Sequence, residues 1–230
     1  MEAEVVSLLL AAYLYGAMPF VYFLGRSYGF DLRNEGSQNV GGTNLLRTVG
    51  PLQGVLGAAL DVSKGVLPVL VARALDLNEG VAGLAAIAAL AGQCWPIFLR
   101  FRGGRGISVA AGAVLVISPV TLLWAVWPTL AGFAVYFVTM RRQPEDVAPT
   151  TDGEAKNSRT VPLFMMISVV ILPIVAASVG EPNAVVLTFM ALSLVIALRR
   201  LTAGLRQDRG SPTPLFTRLR NRFLYDRAQV

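Results

Sequence analysis

Apolar residues in this chain come in long runs, at roughly 4–25, 51–75, 80–99, 107–139, 161–180 and 182–199, separated by polar connections. A helix needs about 20 apolar residues to cross a hydrocarbon core of about 30 Å, and each run approaches or exceeds that length. The fourth is too long for one crossing, and "ISPVT" around Pro119 offers a tight turn that divides it. The pattern predicts an all-α, polytopic membrane bundle of about seven transmembrane helices over residues 1–200, followed by a basic tail, 201–230. The first run could pass for a secretory signal. Its leading "MEAE" is acidic rather than basic, however, and the apolar stretch is long enough to span, so it is read as a retained helix.

Composition sharpens this reading. Of the 230 residues 54% are hydrophobic and 15% charged, with a mean hydropathy of +0.59, against about 25% charged residues in soluble domains. A single cysteine, Cys94, excludes an internal disulfide framework or a multi-cysteine metal site and is read as packing. The absence of histidine removes imidazole as a base and zinc's usual nitrogen ligand.

Charge orients the bundle. Seven spans put connections 26–50, 100–106 and 141–160 and the tail from Arg199 on one face, with three, three, four and eight Lys/Arg, 18 of the chain's 20. Only Lys64 and Arg73 fall elsewhere. The positive-inside rule assigns this face to the cytoplasm, with the N-terminus outside and the C-terminus cytoplasmic. The net charge of +6 is thus topology and contact with anionic headgroups of the lipid bilayer, and no nucleic-acid partner is implied. In the tail, Leu215, Leu219 and Phe223 recur every four residues with Arg218 and Arg222 between them, the pattern of an interfacial amphipathic helix. The polar insert 141–160 is expected to be an irregular loop.

Three polar segments could do chemistry. In "EGSQNVGGTNLLRTVG", residues 35–50, Gly36, Gly41 and Gly42 permit turns that aim successive N–H groups at one anion. Ser37, Asn39, Thr43 and Asn44 add neutral donors there, and Arg47 a charged fork suited to phosphate. No lysine follows the second glycine of a G-x-x-x-x-G pair, so this is not a P-loop. In "FRGGRG", Gly103, Gly104, Arg105 and Gly106 precede a helix start, where backbone amides suit an oxyanion or phosphate. In "LDVSKG", Asp61 and Lys64 share a face within a span, either as a structural ion pair or as ligand contacts. Gln93, in "GQCWP", could bond across helices.

These segments resemble the bacterial acyl-phosphate:glycerol-3-phosphate acyltransferase family, integral membrane enzymes that form lysophosphatidic acid. Residues 35–50 are similar to its E-G-S-G-N-x-G-A-T-N-x-x-R-x-x-G, "LDVSKGVLPVL" to its D-x-x-K-G helix, and "GQCWPIFLRFRGGRG" to its G-H-x-x-P-x-F-L-x-F-K-G-G-K-G. The match runs through roughly residues 4–140 in order and with the right spacing. The resemblance implies seven spans, cytoplasmic motif loops, a bacterial inner-membrane location and a place in phospholipid synthesis. It implies acyl phosphate and glycerol 3-phosphate as substrates, with no cofactor and no metal. Ser37, Arg47 and Arg105 would then be catalytic, and Gly36, Asn39, Gly41, Gly42, Thr43, Asn44, Asp61, Lys64, Gly103, Gly104 and Gly106 would bind substrate.

The chain departs from the family pattern at several places. Gln93 replaces the histidine of G-H, Arg105 the lysine of G-G-K-G, and Gln38 the glycine after Ser37. The third motif, H-R-E-N-I-x-R-L-L-x-G-x-E, is reduced to Arg200, Leu201 and Gly204 in "LVIALRRLTAGLRQ", with Leu194 and Ala197 at the histidine and asparagine positions. Loss of those two leaves a second reading: a weak or inactive relative that binds phosphorylated lipid precursors as a sensor or partner subunit.

Overall fold

The computed structural model describes residues 2–141, 151–203 and 213–226, with the backbone alone for residues 140, 141 and 151–159. Gly204 and residues 142–150 of the polar insert lie outside the described residues. Among the described residues all regular structure is helical. Six helical segments are long and apolar enough to cross a membrane, and a shorter apolar helix makes the seventh member of the bundle. The chain is a multi-pass membrane protein.

The first span consists of α1 (Glu2–Ala17) and α2 (Phe20–Ser27), divided where Pro19 supplies no backbone donor. A short α3 (Gly42–Thr48) precedes α4 (Pro51–Ala74), which starts on a proline at its first position, where a missing N–H costs nothing. α5 (Glu79–Cys94) is capped by Asn78, whose side chain accepts from the Val81 N–H at 3.1 Å. A 3-10 turn (Ile97–Leu99) then leads to α6 (Ile107–Ile117). With 11 residues, α6 is only about 16 Å long at the helical rise of 1.5 Å per residue.

The expected break at Pro119 is present. Ser118 ends α6 and caps α7 (Pro119–Ala125), accepting from the Thr121 N–H at 3.2 Å, and α8 (Trp127–Arg141) continues that span. α9 (Thr151–Ser178), α10 (Asn183–Thr202) and α11 (Leu215–Tyr225) complete the fold. The insert differs from expectation. From Thr151 onward its backbone is helical and continuous with the fifth long span, not an irregular loop.

α5 is the hub, packed against α1, α4, α6 and α10, and its Ala82, Ala85, Ala86 and Ala89 are fully buried. Lipid tails offer no hydrophobic force between helices, so close van der Waals approach of small residues must hold the bundle. That approach is visible at two crossings. A methyl group on Gly92 would collide with the Tyr13 carbonyl across the α1–α5 contact, and one on Gly65 with the Val109 carbonyl across α4–α6. Outside the bundle, Leu10, Leu52, Leu123, Trp124 and Ile174 are exposed, as lipid-facing side chains should be.

The two positive residues off the basic face are both neutralised. Arg73 reaches Glu79 at 3.0 Å and the Val116 carbonyl at 2.8 Å, while Lys64 pairs with Asp61 at 2.9 Å. The helix expected in the tail forms as α11, but it docks on α9 and α10 and buries Asn221 and Arg222 while exposing Leu215 and Phe216.

Candidate active site

The first motif loop is organised from within by Asn44, which is 2% exposed. Its Nδ2 donates to the carbonyls of Leu32, Glu35 and Asn39 at 3.0–3.1 Å, and its Oδ1 accepts from the Ser37 N–H at 3.1 Å. Asn44, expected to bind substrate, therefore has both ends of its amide engaged in shaping the loop. Gly36 turns with φ +51°, and a Cβ there would stand 2.5 Å from Asn44 Oδ1. Gln38, at the family's glycine position, also takes a left-handed φ of +56°. At the loop's start, Arg33 grips Asp31 with Nη2 at 2.6 Å and Nε at 2.9 Å. The hydrogen bond from Arg33 holds the Asp31 carboxyl down at about 2.

The second loop is wedged against the end of α5. The Gly104 N–H donates to the Gln93 carbonyl at 3.0 Å, and Gly103 lies so close to Gln93 and Pro96 that no side chain would fit. Its outward carbonyls are taken by Arg199 of α10, whose Nη2 donates to Gly103 at 2.7 Å and Nε to Gly104 at 3.0 Å. The Arg199 guanidinium also lies 5.9 Å from the Trp95 ring centroid. Gly106 then adopts a left-handed φ of +78° as the N-cap of α6. The first amides of α6 have no partner inside the helix.

Between the loops sits a closed triad. Lys64 Nζ donates to Asp61 Oδ1 at 2.9 Å and Gln93 Oε1 at 2.5 Å, and Gln93 Nε2 returns a bond to Asp61 Oδ2 at 3.0 Å. The side chains of Lys64 and Asp61 are 1% and 4% exposed. Of the two readings open for this pair, the geometry favours the structural one, with Gln93 as the residue that completes it.

These parts converge on a cavity of about 120 Å³. The first loop contributes Ser37, Asn39, Gly41, Gly42, Thr43 and Arg47, the second Arg105 and Gly106, and the triad exposes Asp61 and Gln93 to it. Gly36, Asn44, Lys64, Gly103 and Gly104, all expected to bind substrate, do not line it; they shape the walls. Arg47 is exposed and stacks 5.6 Å from the Tyr136 ring centroid. Arg105 Nε donates to Asp226 Oδ1, beyond the end of α11.

Four contributors were not anticipated in their roles: Arg199, Arg200, Tyr225 and Asp226. Arg200 is 2% exposed; its Nη1 donates to the carbonyls of Pro162 and Phe223 at 3.0 Å, and its Nε is buried without a hydrogen-bond partner. The surviving third-motif arginine was the one available signal for it. The positions of the family's lost histidine and asparagine face elsewhere. Leu194 is 59% exposed on the outside of α10, Ala197 packs against the hydrophobic core, and neither borders the cavity.

A helical membrane bundle whose cavity is lined by Arg47, Arg105 and Arg200 and walled by two glycine-rich loops defines the class: a polytopic membrane protein with a cationic cleft. Residues 6–206 match the family model described as glycerol-3-phosphate acyltransferase, and the chain belongs to that acyltransferase family. It is 46% identical over 131 residues to "Glycerol-3-phosphate acyltransferase 2" of Moorella thermoacetica, covering 56% of this chain and 67% of that protein. It is 37% identical over 194 residues to the glycerol-3-phosphate acyltransferase of Syntrophotalea carbinolica, covering 84% and 88%. Matches to the Rubrobacter xylanophilus and Thermus thermophilus proteins span less than two thirds of their lengths, at 64% and 62%. The fold is similar to a crystal structure of PlsY (YgiH), an integral membrane glycerol 3-phosphate acyltransferase, in its glycerol 3-phosphate form. That similarity has a TM-score of 0.72 and 28% identity, over 86% of this chain and 88% of that one.

Proposed function

We propose that this protein transfers an acyl group from acyl phosphate to the 1-hydroxyl of glycerol 3-phosphate, giving lysophosphatidic acid for phospholipid synthesis. The single observation that carries this reading is the convergence of Ser37, Arg47, Arg105 and Arg200 on one cavity, beside the N-terminal turn of α6. An acyl phosphate is already activated. The protein therefore needs to hold two phosphates close together and stabilise the oxyanion formed when the hydroxyl adds to the acyl carbonyl.

In this scheme Arg47 and Arg105 hold phosphate groups, and Ser37 with the neighbouring amides faces the reacting carbonyl. The C–O bond forms, the acyl–phosphate bond breaks, and inorganic phosphate leaves. No imidazole exists to take the hydroxyl proton. Asp61 is engaged by Lys64 and Gln93, and Asp226 by Arg105. The acceptor's own phosphate takes that proton, so loss of the third motif's histidine is compatible with turnover.

The test is purified protein in detergent, given acyl phosphate and glycerol 3-phosphate while phosphate release is followed. Release that requires both substrates and yields lysophosphatidate supports the enzyme; binding of glycerol 3-phosphate without turnover overturns it in favour of a phosphorylated-lipid binder. The same reading puts the basic face in the cytoplasm of a bacterial inner membrane. A reporter fused after Gln143 should be cytoplasmic and one after Glu181 external, and finding both on one side would refute the orientation.

A further inference from the structure

The family match ends at residue 206, yet α11 and the residue that follows it reach into the cleft. We propose that Asp226 is a positioning residue for Arg105, and that α11 is a third wall of the substrate site on which phosphate affinity depends. This rests on the acyltransferase reading for its assay, though not for its binding measurement.

Asp226 sits at the C-cap of α11 with a left-handed φ of +60°, its N–H bonded to the Arg222 carbonyl at 3.0 Å, so its carboxylate is presented from a fixed backbone. It accepts from Arg105 Nε, and the two side chains are 15% and 14% exposed. One turn back, the carbonyls of Phe223 and Leu224 accept from Arg200 Nη1 at 3.0 and 3.4 Å. The last carbonyls of a helix carry partial negative charge and suit a cation. Both arginines are thus steered by the same helix end, and Arg200, a cavity-lining residue, keeps its Nε buried without a hydrogen-bond partner.

This arrangement also accounts for arginine at position 105, where the family motif has lysine. An ammonium is a point charge, and a carboxylate beside it would compete with substrate phosphate for it. A guanidinium has separate edges. Nε can hold Asp226 while the two Nη groups remain to fork a phosphate, with the carboxylate fixing the plane of that fork. Arg105 and Asp226 act as one unit.

The experiment uses full-length protein in detergent and four variants: Asp226→Ala, Asp226→Asn, Arg105→Lys and Arg105→Lys/Asp226→Ala. KM and kcat are measured for both substrates, and glycerol 3-phosphate affinity is measured by calorimetry on the same samples. Asp226→Ala should raise KM for a phosphate substrate about tenfold with kcat less affected, the scale of misplacing one charge-assisted hydrogen bond. Asp226→Asn, which keeps the shape, should move the same way by a smaller factor. Arg105→Lys should be poor while Asp226 is present and recover when Asp226 is also removed. A lowered KM in Asp226→Ala would show that the carboxylate blocks the phosphate site and would overturn positioning. Unchanged KM with only a lower unfolding temperature would overturn it as well. If the parent shows no turnover, the acyltransferase reading falls. Calorimetry then still decides: weaker glycerol 3-phosphate binding in Asp226→Ala sustains the inference, and equal binding or none in the parent ends it.

Discussion

Lys64 Nζ stands 2.5 Å from Oε1 of Gln93, a residue 29 positions along the chain and on the next span. Gln93 is an amide, so it can accept from the ammonium and donate to the Asp61 carboxylate at once, as it does at 3.0 Å. Two opposite charges and one dipole close on themselves inside the bundle. Breaking a buried pair by removing one partner costs about 3–5 kcal/mol, because the other charge is left uncompensated. Asp61→Asn and Lys64→Met are each expected to lower the unfolding temperature strongly, with the double variant recovering much of the loss. Gln93→Leu should cost about 2–3 kcal/mol by leaving charged groups short of a bond. Thermal unfolding in detergent checks all four, and additive losses in the double variant would mean that the residues do not form a unit.

Arg199 is expected to control turnover without touching substrate. It holds the carbonyls of Gly103 and Gly104 with two different nitrogens, and these fix the loop that presents Arg105. A lysine keeps the charge but cannot span both carbonyls in one plane. Arg199→Lys should lower kcat by about tenfold to a hundredfold, the scale of a small misplacement of catalytic groups. KM should change less. Steady-state kinetics beside an unfolding curve separate this from simple loss of fold.

Gln38→Gly should stabilise the protein. The residue is exposed and its φ of +56° is one that a side chain resists. Relief of left-handed strain is worth about 1–2 kcal/mol, partly offset by the extra freedom glycine has in the unfolded chain. A gain of about 1 kcal/mol in unfolding free energy is expected, and a loss would mean that the Gln38 side chain has a contact that matters more than its backbone.

The Asp31–Arg33 pair gives the first loop a pH limit. Asp31's carboxyl is lowered from 3.8 to about 2, chiefly by the hydrogen bond from Arg33. A depressed carboxylate stabilises the fold above its unfolded pKa, and that stability is lost as pH falls through the folded value. Stability should therefore decline between pH 3.8 and about 2, and Asp31→Asn should flatten that part of the profile. An unchanged profile in the variant would assign the acid response to other carboxylates.

Much of the fold was legible because a bilayer imposes length and apolarity on every crossing. The apolar runs and the break before Pro119 follow from that constraint, while the loop glycines were legible from the turns they permit. The roles inside the cleft were less legible. Asn44 lies among expected ligands in a polar motif, yet whether its amide turns inward depends on carbonyls at Leu32 and Glu35 that only the folded loop gathers. Asp61 and Lys64 are visible as an i, i+3 pair, but Gln93 joins them only through the crossing of α4 and α5. Arg199 and Asp226 were least legible. One looked like a membrane-edge charge and the other lies just past an anchor-like helix, and neither has a local pattern that reports a contact about a hundred residues away.

The pairing of α4 with α5 bears on how the protein is made. As α4 emerges from the ribosome it carries Asp61, Lys64 and Arg73 toward the lipid, and the groups that satisfy them, Gln93 and Glu79, are synthesised later. A lone α4 would enter hydrocarbon with its charges only partly matched, whereas the two helices together, joined by the short link at Leu75 to Asn78, present a nearly neutral hairpin. Co-insertion of the second and third spans as one unit is therefore expected, since the hairpin matches charges that α4 alone would carry into hydrocarbon only partly compensated.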